Sequence, residues 1–156
     1  MNGKILGSII LGAALIAGGA LYYFQVYYFY DRLDPATVSI GLVPIAGDAS
    51  EAIPTTELQA INATSSPIRF RACFATPVSL AALTETYQTY PAAEPLTAPG
   101  WFDCFNATEI GTALEDGSAV AFLGQDGIGD GVDRVIAVFP DGRAFAWHQL
   151  NETFTD

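Results

Sequence analysis

A long uncharged segment near the N-terminus constrains this chain more than any other feature. From Ile5 to Tyr30 no residue is charged, and apart from the tyrosines only one serine and Gln25 are polar. A membrane-spanning helix needs about 20 apolar residues, and this segment is long enough for about 39 Å of helix. The sequence therefore predicts a transmembrane helix within residues 1–32, followed by a single domain over residues 33–156.

A cleaved signal peptide is the alternative for this segment, because small residues before position 21 would permit cleavage after Ala20. The uncharged run is longer than the apolar core of an ordinary signal peptide. The mature chain would also begin with LYYFQVYYFY, which is an unfavourable start for a water-soluble domain. A retained anchor is therefore favoured.

Aromatic side chains crowd the C-terminal end of the predicted helix. Seven of the nine residues from Tyr22 to Tyr30 are aromatic, and we call residues 22–30 the aromatic collar. Tyrosine is enriched at membrane–water interfaces, where its ring contacts lipid and its hydroxyl contacts water. In a helix Tyr23, Tyr27 and Tyr30 lie on one face. The collar is either a lipid-facing belt or a docking surface, and rings on every face indicate that some contact protein.

Small residues form a stripe along the same helix. Gly7, Ala14, Gly18 and Gln25 follow one another at intervals of seven, four and seven residues, and we call them the small-residue seam. Small side chains let helix backbones approach closely in lipid, and a lone amide there favours a polar partner. The seam predicts contact with another transmembrane helix, so integral membrane subunits are expected partners besides the lipid bilayer.

The flanking charges and the cysteines predict which side of the membrane holds the domain. Lys4 and the α-amino group precede the helix, whereas Asp31 and Arg32 follow it. Positive charge is retained in the cytoplasm, which predicts a cytoplasmic N-terminus and a periplasmic domain at a bacterial inner membrane. The two cysteines, Cys73 and Cys104, both lie in the domain, and a disulfide suits an oxidising compartment. Two buried free thiols are the alternative.

Strand and helix patterns alternate along the domain. Alternating apolar residues predict strands at residues 36–45, 67–75, 118–124, 132–139 and 143–150. Capping residues predict helices after Thr76 and from Asn106 to Gly117, and residues 55–63 are interpreted as a short helix. This order predicts an α+β domain with a small, largely antiparallel sheet and helices on one face.

Recognisable catalytic motifs are absent from the sequence. The single histidine, His148, falls in a predicted strand, and no nucleophile or phosphate-binding motif occurs. A non-enzyme without a cofactor is expected. The segment 125–134 carries Asp126, Asp130 and Asp133 among glycines, which resembles a calcium-binding loop, although the ligand spacing of an EF-hand is not met.

The net charge limits the partners of the domain. Seventeen acidic residues face six lysines and arginines, giving a net charge of −11. This balance excludes nucleic acid as a partner, because nucleic-acid binding requires cations that neutralise phosphates. A strongly acidic surface either keeps the domain soluble or docks a basic periplasmic protein such as a c-type cytochrome by electrostatic steering.

The N-terminal segment MNGKILGSIILGAALIAGGALYYFQVYYFYD resembles that of an uncharacterised alphaproteobacterial family of small single-pass membrane proteins with an acidic periplasmic domain. The resemblance implies no functional residue. The collar, the seam and the missing catalytic motif together predict a non-catalytic accessory or assembly subunit of an inner-membrane complex. The setting that the resemblance implies makes a respiratory or electron-transfer complex the expected host. The alternative is a periplasmic sensing or binding module with a cation site at residues 125–134.

Overall fold

The computed structural model describes residues 2–154, so the outer limits of the two predicted regions, residues 1 and 156, lie outside the described residues. Helix α1 spans Gly3–Tyr23 and continues into a π-helical turn at Phe24–Tyr28. Asn2 caps α1, since its side chain accepts a hydrogen bond from the Lys4 N–H group. By length and composition this helix is apolar enough to cross a membrane, which confirms the predicted long apolar helix.

A six-stranded sheet forms the centre of the domain. Its strands, in spatial order, are β1 (Asp31–Leu33), β4 (Thr56–Asn62), β5 (Arg71–Ala75), β8 (Arg143–Leu150), β7 (Val132–Val138) and β6 (Val120–Gly129). Every neighbouring pair is antiparallel. Two short strands, β2 (Gly41–Leu42) and β3 (Glu51–Ala52), pair separately. The predicted α+β class with a largely antiparallel sheet is confirmed.

Helices α2 (Leu80–Thr86) and α3 (Ala107–Glu115) cover opposite faces of this sheet. Leu83 packs in the same apolar cluster as Ala72 and Phe74 of β5, whereas Ile110 packs with Cys73. Neighbouring residues of a strand point to opposite faces. The expectation that the helices share one face is therefore wrong, because the central strands carry apolar residues on both sides and each face needs a cover.

Three predicted elements differ in the structure. Residues 55–63 contain strand β4 rather than a helix, since they pair with β1 and β5. The segment 36–45 is not one strand but a 3-10 turn at Pro35–Thr37 followed by β2. Helix α2 begins after Ser79, whose hydroxyl accepts a hydrogen bond from the Ala82 N–H group at 3.2 Å. The four remaining strand predictions and the Asn106 cap of α3 are confirmed.

A disulfide joins the sheet to the segment before α3. Cys73 of β5 and Cys104 are bonded, with their Cα atoms 6.3 Å apart. The bond fixes residues 99–106 against the sheet, and this segment carries Trp101. The predicted pairing is therefore present, and it positions the side chain on which the candidate site depends.

Candidate functional site: the junction of helix and domain

The connection between the apolar helix α1 and the sheet is very short. The π-helical turn ends at Tyr28 and strand β1 begins at Asp31, so only Phe29 and Tyr30 lie between them. Phe29 closes the turn by donating its N–H group to the carbonyl of Phe24 at 3.2 Å. The domain thus starts directly at the end of the helix, without a flexible linker.

Trp101 fastens the domain to this turn. Its indole Nε1–H donates to the carbonyl oxygen of Val26 at 2.6 Å. The carbonyls of a last helical turn lack intrahelical donors, so a side-chain donor from the domain satisfies one of them. The Tyr27 ring stacks on the indole with centroids 6.3 Å apart, and the Tyr30 ring meets it edge-on at 6.1 Å. The Arg32 guanidinium lies 5.0 Å from the same indole ring.

Arg69 makes a second connection beside Trp101. Its Nη2 donates to Oε1 of Gln25 at 3.0 Å, and its guanidinium carbon lies 5.4 Å from the centroid of the Tyr30 ring. We call the set of side chains that connects helix and domain the junction; its members are Gln25, Val26, Tyr27, Tyr30, Arg32, Arg69 and Trp101. Gln25 was predicted to contact another helix, and Tyr27 and Tyr30 to contact either lipid or a partner. The structure places each of the three against this chain's own domain.

The remaining collar rings point away from the junction. Tyr22, Tyr23 and Tyr28 are exposed and contact other rings of the collar. Tyr23 stacks on Tyr27 with ring centroids 6.0 Å apart, which links the outer rings to the junction. The collar therefore has one side that contacts the domain and another that is exposed.

The small-residue seam is open along its whole length below the junction. Gly7, Ala14 and Gly18 are exposed, and a methyl group added at Gly7 or Gly18 would meet no atom within 4 Å. The predicted contact of these residues with another helix stays a prediction. Their surface is free of other described parts of the chain.

The acidic segment 125–134 is a hairpin rather than a loop that gathers ligands. Asp133 is buried and accepts hydrogen bonds from the Tyr90 hydroxyl at 3.0 Å, the Gly127 N–H group at 3.0 Å and the Asn151 side-chain amide at 2.9 Å. Asp130 is exposed at the turn. Among residues 2–154 no group of three histidine, cysteine, aspartate or glutamate side chains is arranged to hold a metal ion.

The pKa values of two side chains beside this hairpin, Tyr90 and Asp126, are raised. Burial and the hydrogen bond to Asp133 raise the pKa of Tyr90 to about 12. The charge of Asp133 raises the pKa of the neighbouring Asp126 carboxyl. These groups line a cavity of about 310 Å³ together with Asn151 and other residues. The arrangement pairs Asp126 with Asp133 but leaves Asp130 outside the pair.

A comparison with protein-family models places residues 40–156 in a family of unknown function, DUF6446. The match covers most of the chain. The chain belongs to the DUF6446 family. The comparisons with curated proteins and with solved structures found no match.

The DUF6446 match falls on the domain and begins after the apolar helix. The expectation of a family without a known function is confirmed. The resemblance that predicted it was carried by the N-terminal segment, which the match does not include. The alphaproteobacterial origin and the membrane character of the family stay predictions.

His148 occupies a buried site in the DUF6446 domain. Its Nδ1 lies 2.8 Å from the carbonyl oxygen of Pro67, and its Nε2 accepts from Nε of Arg134 at 3.1 Å. Its ring stacks on Phe70 with centroids 4.6 Å apart. Burial lowers the pKa of His148 to about 4. Both ring nitrogens are thus engaged by a carbonyl and a guanidinium, and the imidazole is neutral.

Sequence reasoning missed the two domain residues on which the junction depends. Trp101 and Arg69 lie 75 and 44 residues from their helix partners, Val26 and Gln25. No periodicity connects positions so far apart. The available signal was the tryptophan itself, since a large amphipathic ring in a segment rich in proline and glycine is typical of a contact surface.

Proposed function

We propose that this protein is a non-catalytic accessory or assembly subunit of a multi-subunit complex in the bacterial inner membrane, with a respiratory or other electron-transfer complex as its host. The observation that carries the proposal is a contrast along the helix. Its C-terminal end is hydrogen-bonded to Trp101 and Arg69 of the domain, whereas no residue of α1 is buried. An exposed small-residue seam suits a helix that packs against other transmembrane helices. The hydrogen bonds at its C-terminal end would hold the domain in a fixed orientation on that helix.

The topology of the proposal puts the N-terminus in the cytoplasm and the domain in the periplasm. Lys4 on the N-terminal side supports this orientation through the positive-inside rule. The Cys73–Cys104 disulfide supports it independently, since disulfides persist in the oxidising periplasm.

A non-catalytic role is supported by the environment of the one histidine. His148 is neutral and hydrogen-bonded on both nitrogens within the core. General acid–base catalysis needs a titrating group that reaches a substrate near the working pH. The pKa of His148, lowered to about 4, and its burial both argue against that use.

The proposed soluble partner is a basic periplasmic protein such as a c-type cytochrome. Arg71 and Arg134 are mostly buried, and burial lowers the pKa of each to about 10. Their charge is therefore withdrawn from the surface, while Asp133 is the one buried acidic residue among residues 2–154. The exposed surface is acidic, and such a surface steers a cationic partner toward it.

The test of lateral packing is a pair of matched double variants in the full-length chain. Ala14→Leu with Gly18→Leu fills the seam, whereas Gly12→Leu with Ala20→Leu adds the same bulk about 140° away around the helix. We expect the seam variant to stay in the membrane fraction but to lose its co-purifying subunits in mild detergent, as measured by native gel and mass spectrometry.

The control variant is expected to keep those subunits. If both variants, like the unmodified protein, migrate alone or as a homodimer, the accessory-subunit proposal is wrong. Equal loss of co-purifying subunits in both variants would mean that larger side chains anywhere on the helix disrupt its association, and the seam would have no special role.

A periplasmic sensing module is the second candidate, and the cavity beside Asp126 and Asp133 is the observation that favours it. Calcium binding there would stabilise the folded state by mass action. A rise in the melting temperature of the full-length protein at millimolar calcium, lost in Asp126→Asn, would support it. An unchanged melting temperature would remove it.

A further inference from the structure

The cations of this chain are distributed very unevenly. Arg71 and Arg134 are mostly buried, and Arg143 is ion-paired with Glu109 and Asp141. The two remaining arginines, Arg32 and Arg69, both lie at the junction and form no ion pair within residues 2–154. The two arginines of the described chain that are neither mostly buried nor ion-paired therefore lie together at the point where the helix meets the domain.

The junction contacts fix the depth of these groups along the helix. Arg69 bonds to Gln25 and Trp101 bonds to Val26, so both domain residues lie beside the collar and not beyond its end. This step rests on the proposed membrane anchor. With Ile5–Leu21 in the hydrocarbon layer, the collar occupies the headgroup region, where tyrosine and tryptophan are enriched.

Arg69 lacks an acceptor for part of its guanidinium. Its Nη2 donates to Gln25, but its Nη1 is covered by protein atoms and has no hydrogen-bond partner in the described chain. A covered donor without an acceptor is unfavourable. The exposed guanidinium of Arg32 and the incompletely satisfied guanidinium of Arg69 both suit a phosphate oxygen of the headgroup region, since arginine favours phosphate through paired, charge-assisted hydrogen bonds.

We propose that Arg32, Arg69 and Trp101 form a binding site for the phosphate group of a membrane phospholipid. The two guanidinium groups bind the phosphate, and the Trp101 indole, which lies under Arg32, packs against the glycerol region. Asp31 and Asp34 follow the helix closely and offset the two positive charges. The site therefore recognises the phosphate itself, so zwitterionic and anionic phospholipids are both ligands.

The test measures lipid retention by full-length protein extracted in a nonionic detergent, using native mass spectrometry. Phosphatidylethanolamine is compared with a galactosyl diacylglycerol of the same acyl chains and with inorganic phosphate. We expect one retained phosphatidylethanolamine and at least about tenfold weaker retention of the galactolipid, which lacks the acceptor of a charge-assisted hydrogen bond. Inorganic phosphate is expected not to compete.

The variants separate the site from general charge effects. Arg32→Gln with Arg69→Gln should lower phospholipid retention at least about tenfold, Arg69→Lys should keep most of it, and Arg143→Gln, an exposed arginine remote from the junction, should keep all of it. Arg32 is exposed, so Arg32→Gln alone gives an interpretable result if the double variant fails to fold.

Several results would overturn the proposal. Equal retention of galactolipid would mean that the contact is only apolar. Equal loss in Arg143→Gln would mean that net charge alone acts, and competition by inorganic phosphate would identify an aqueous anion site. Absence of the unmodified protein from the membrane fraction would instead overturn the proposed anchor. A membrane-bound protein without phosphate preference would lose only the lipid site.

Discussion

At the residue scale, His148 sets a pH dependence of folding. Burial lowers its pKa from 6.5 to about 4, so between these values the unfolded chain binds more protons than the folded one. The contribution of His148 to the free energy of unfolding is fully present above pH 6.5. It falls as the pH decreases toward 4, by up to roughly 3 kcal/mol. The loss ends where the folded protein also becomes protonated.

The measurement is urea denaturation in detergent between pH 7 and pH 5, comparing the unmodified protein with His148→Gln. The carboxylates titrate in both proteins, so the difference isolates the histidine. We expect the unmodified protein to lose more stability on acidification than the variant. Parallel curves for the two proteins would show that the imidazole is not held neutral by burial.

Trp101 carries the second prediction at this scale. Trp101→Phe removes the hydrogen bond to Val26 and is expected to cost about 1 kcal/mol. Because the contact is confined to the junction, hydrogen exchange should rise in residues 24–33 and stay unchanged in β7 and β8. The matched control is Trp147→Phe, since Trp147 is fully buried in the core and its loss should raise exchange throughout the domain. Unchanged exchange at residues 24–33 in Trp101→Phe would contradict the junction.

At the element scale, the disulfide connects β5 to the segment that carries Trp101. Cys73 and Cys104 are 31 residues apart, and a cross-link over such a loop contributes about 3–4 kcal/mol in the chain-entropy model. Reductant should therefore lower the urea midpoint of the unmodified protein. The double variant Cys73→Ala with Cys104→Ala should have the same midpoint as the reduced protein, and reductant should not change it. A midpoint that does not respond to reductant would mean that the bond adds no stability.

The elements also show where sequence reasoning ends. Strands β5, β7 and β8 were predictable because each carries a run of apolar residues bounded by turn signals. Strand β4 was not, because TELQAIN has a weak alternation and its conformation depends on pairing with β1 and β5. The positions of α2 and α3 on opposite faces follow from apolar residues on both sides of the central strands, a pattern that local capping signals do not contain.

At the scale of the whole molecule, the sequence predicted a long apolar helix followed by a sheet domain but not how the two meet. Composition alone marks an uncharged helix and an acidic domain. Their connection depends on Trp101–Val26 and Arg69–Gln25, which are tertiary contacts between distant positions. The collar therefore has two sides. Tyr27 and Tyr30 contact Trp101 of the domain, whereas Tyr22, Tyr23 and Tyr28 are exposed.

The acidic surface of the whole molecule leads to the last prediction. The whole chain has a net charge of −11, and two arginines of the domain are mostly buried. The protein should therefore attract a basic c-type cytochrome over distances longer than a contact. Such steering is screened by salt, so the association rate should fall on the order of tenfold between about 10 and about 150 mM salt. Stopped-flow mixing with the detergent-solubilised full-length protein measures this rate.

A cytochrome of acidic pI is the control and should associate more slowly, with a rate that rises with salt. If the basic cytochrome binds at a rate indifferent to salt, or does not bind, the negative charge serves solubility and the docking proposal fails.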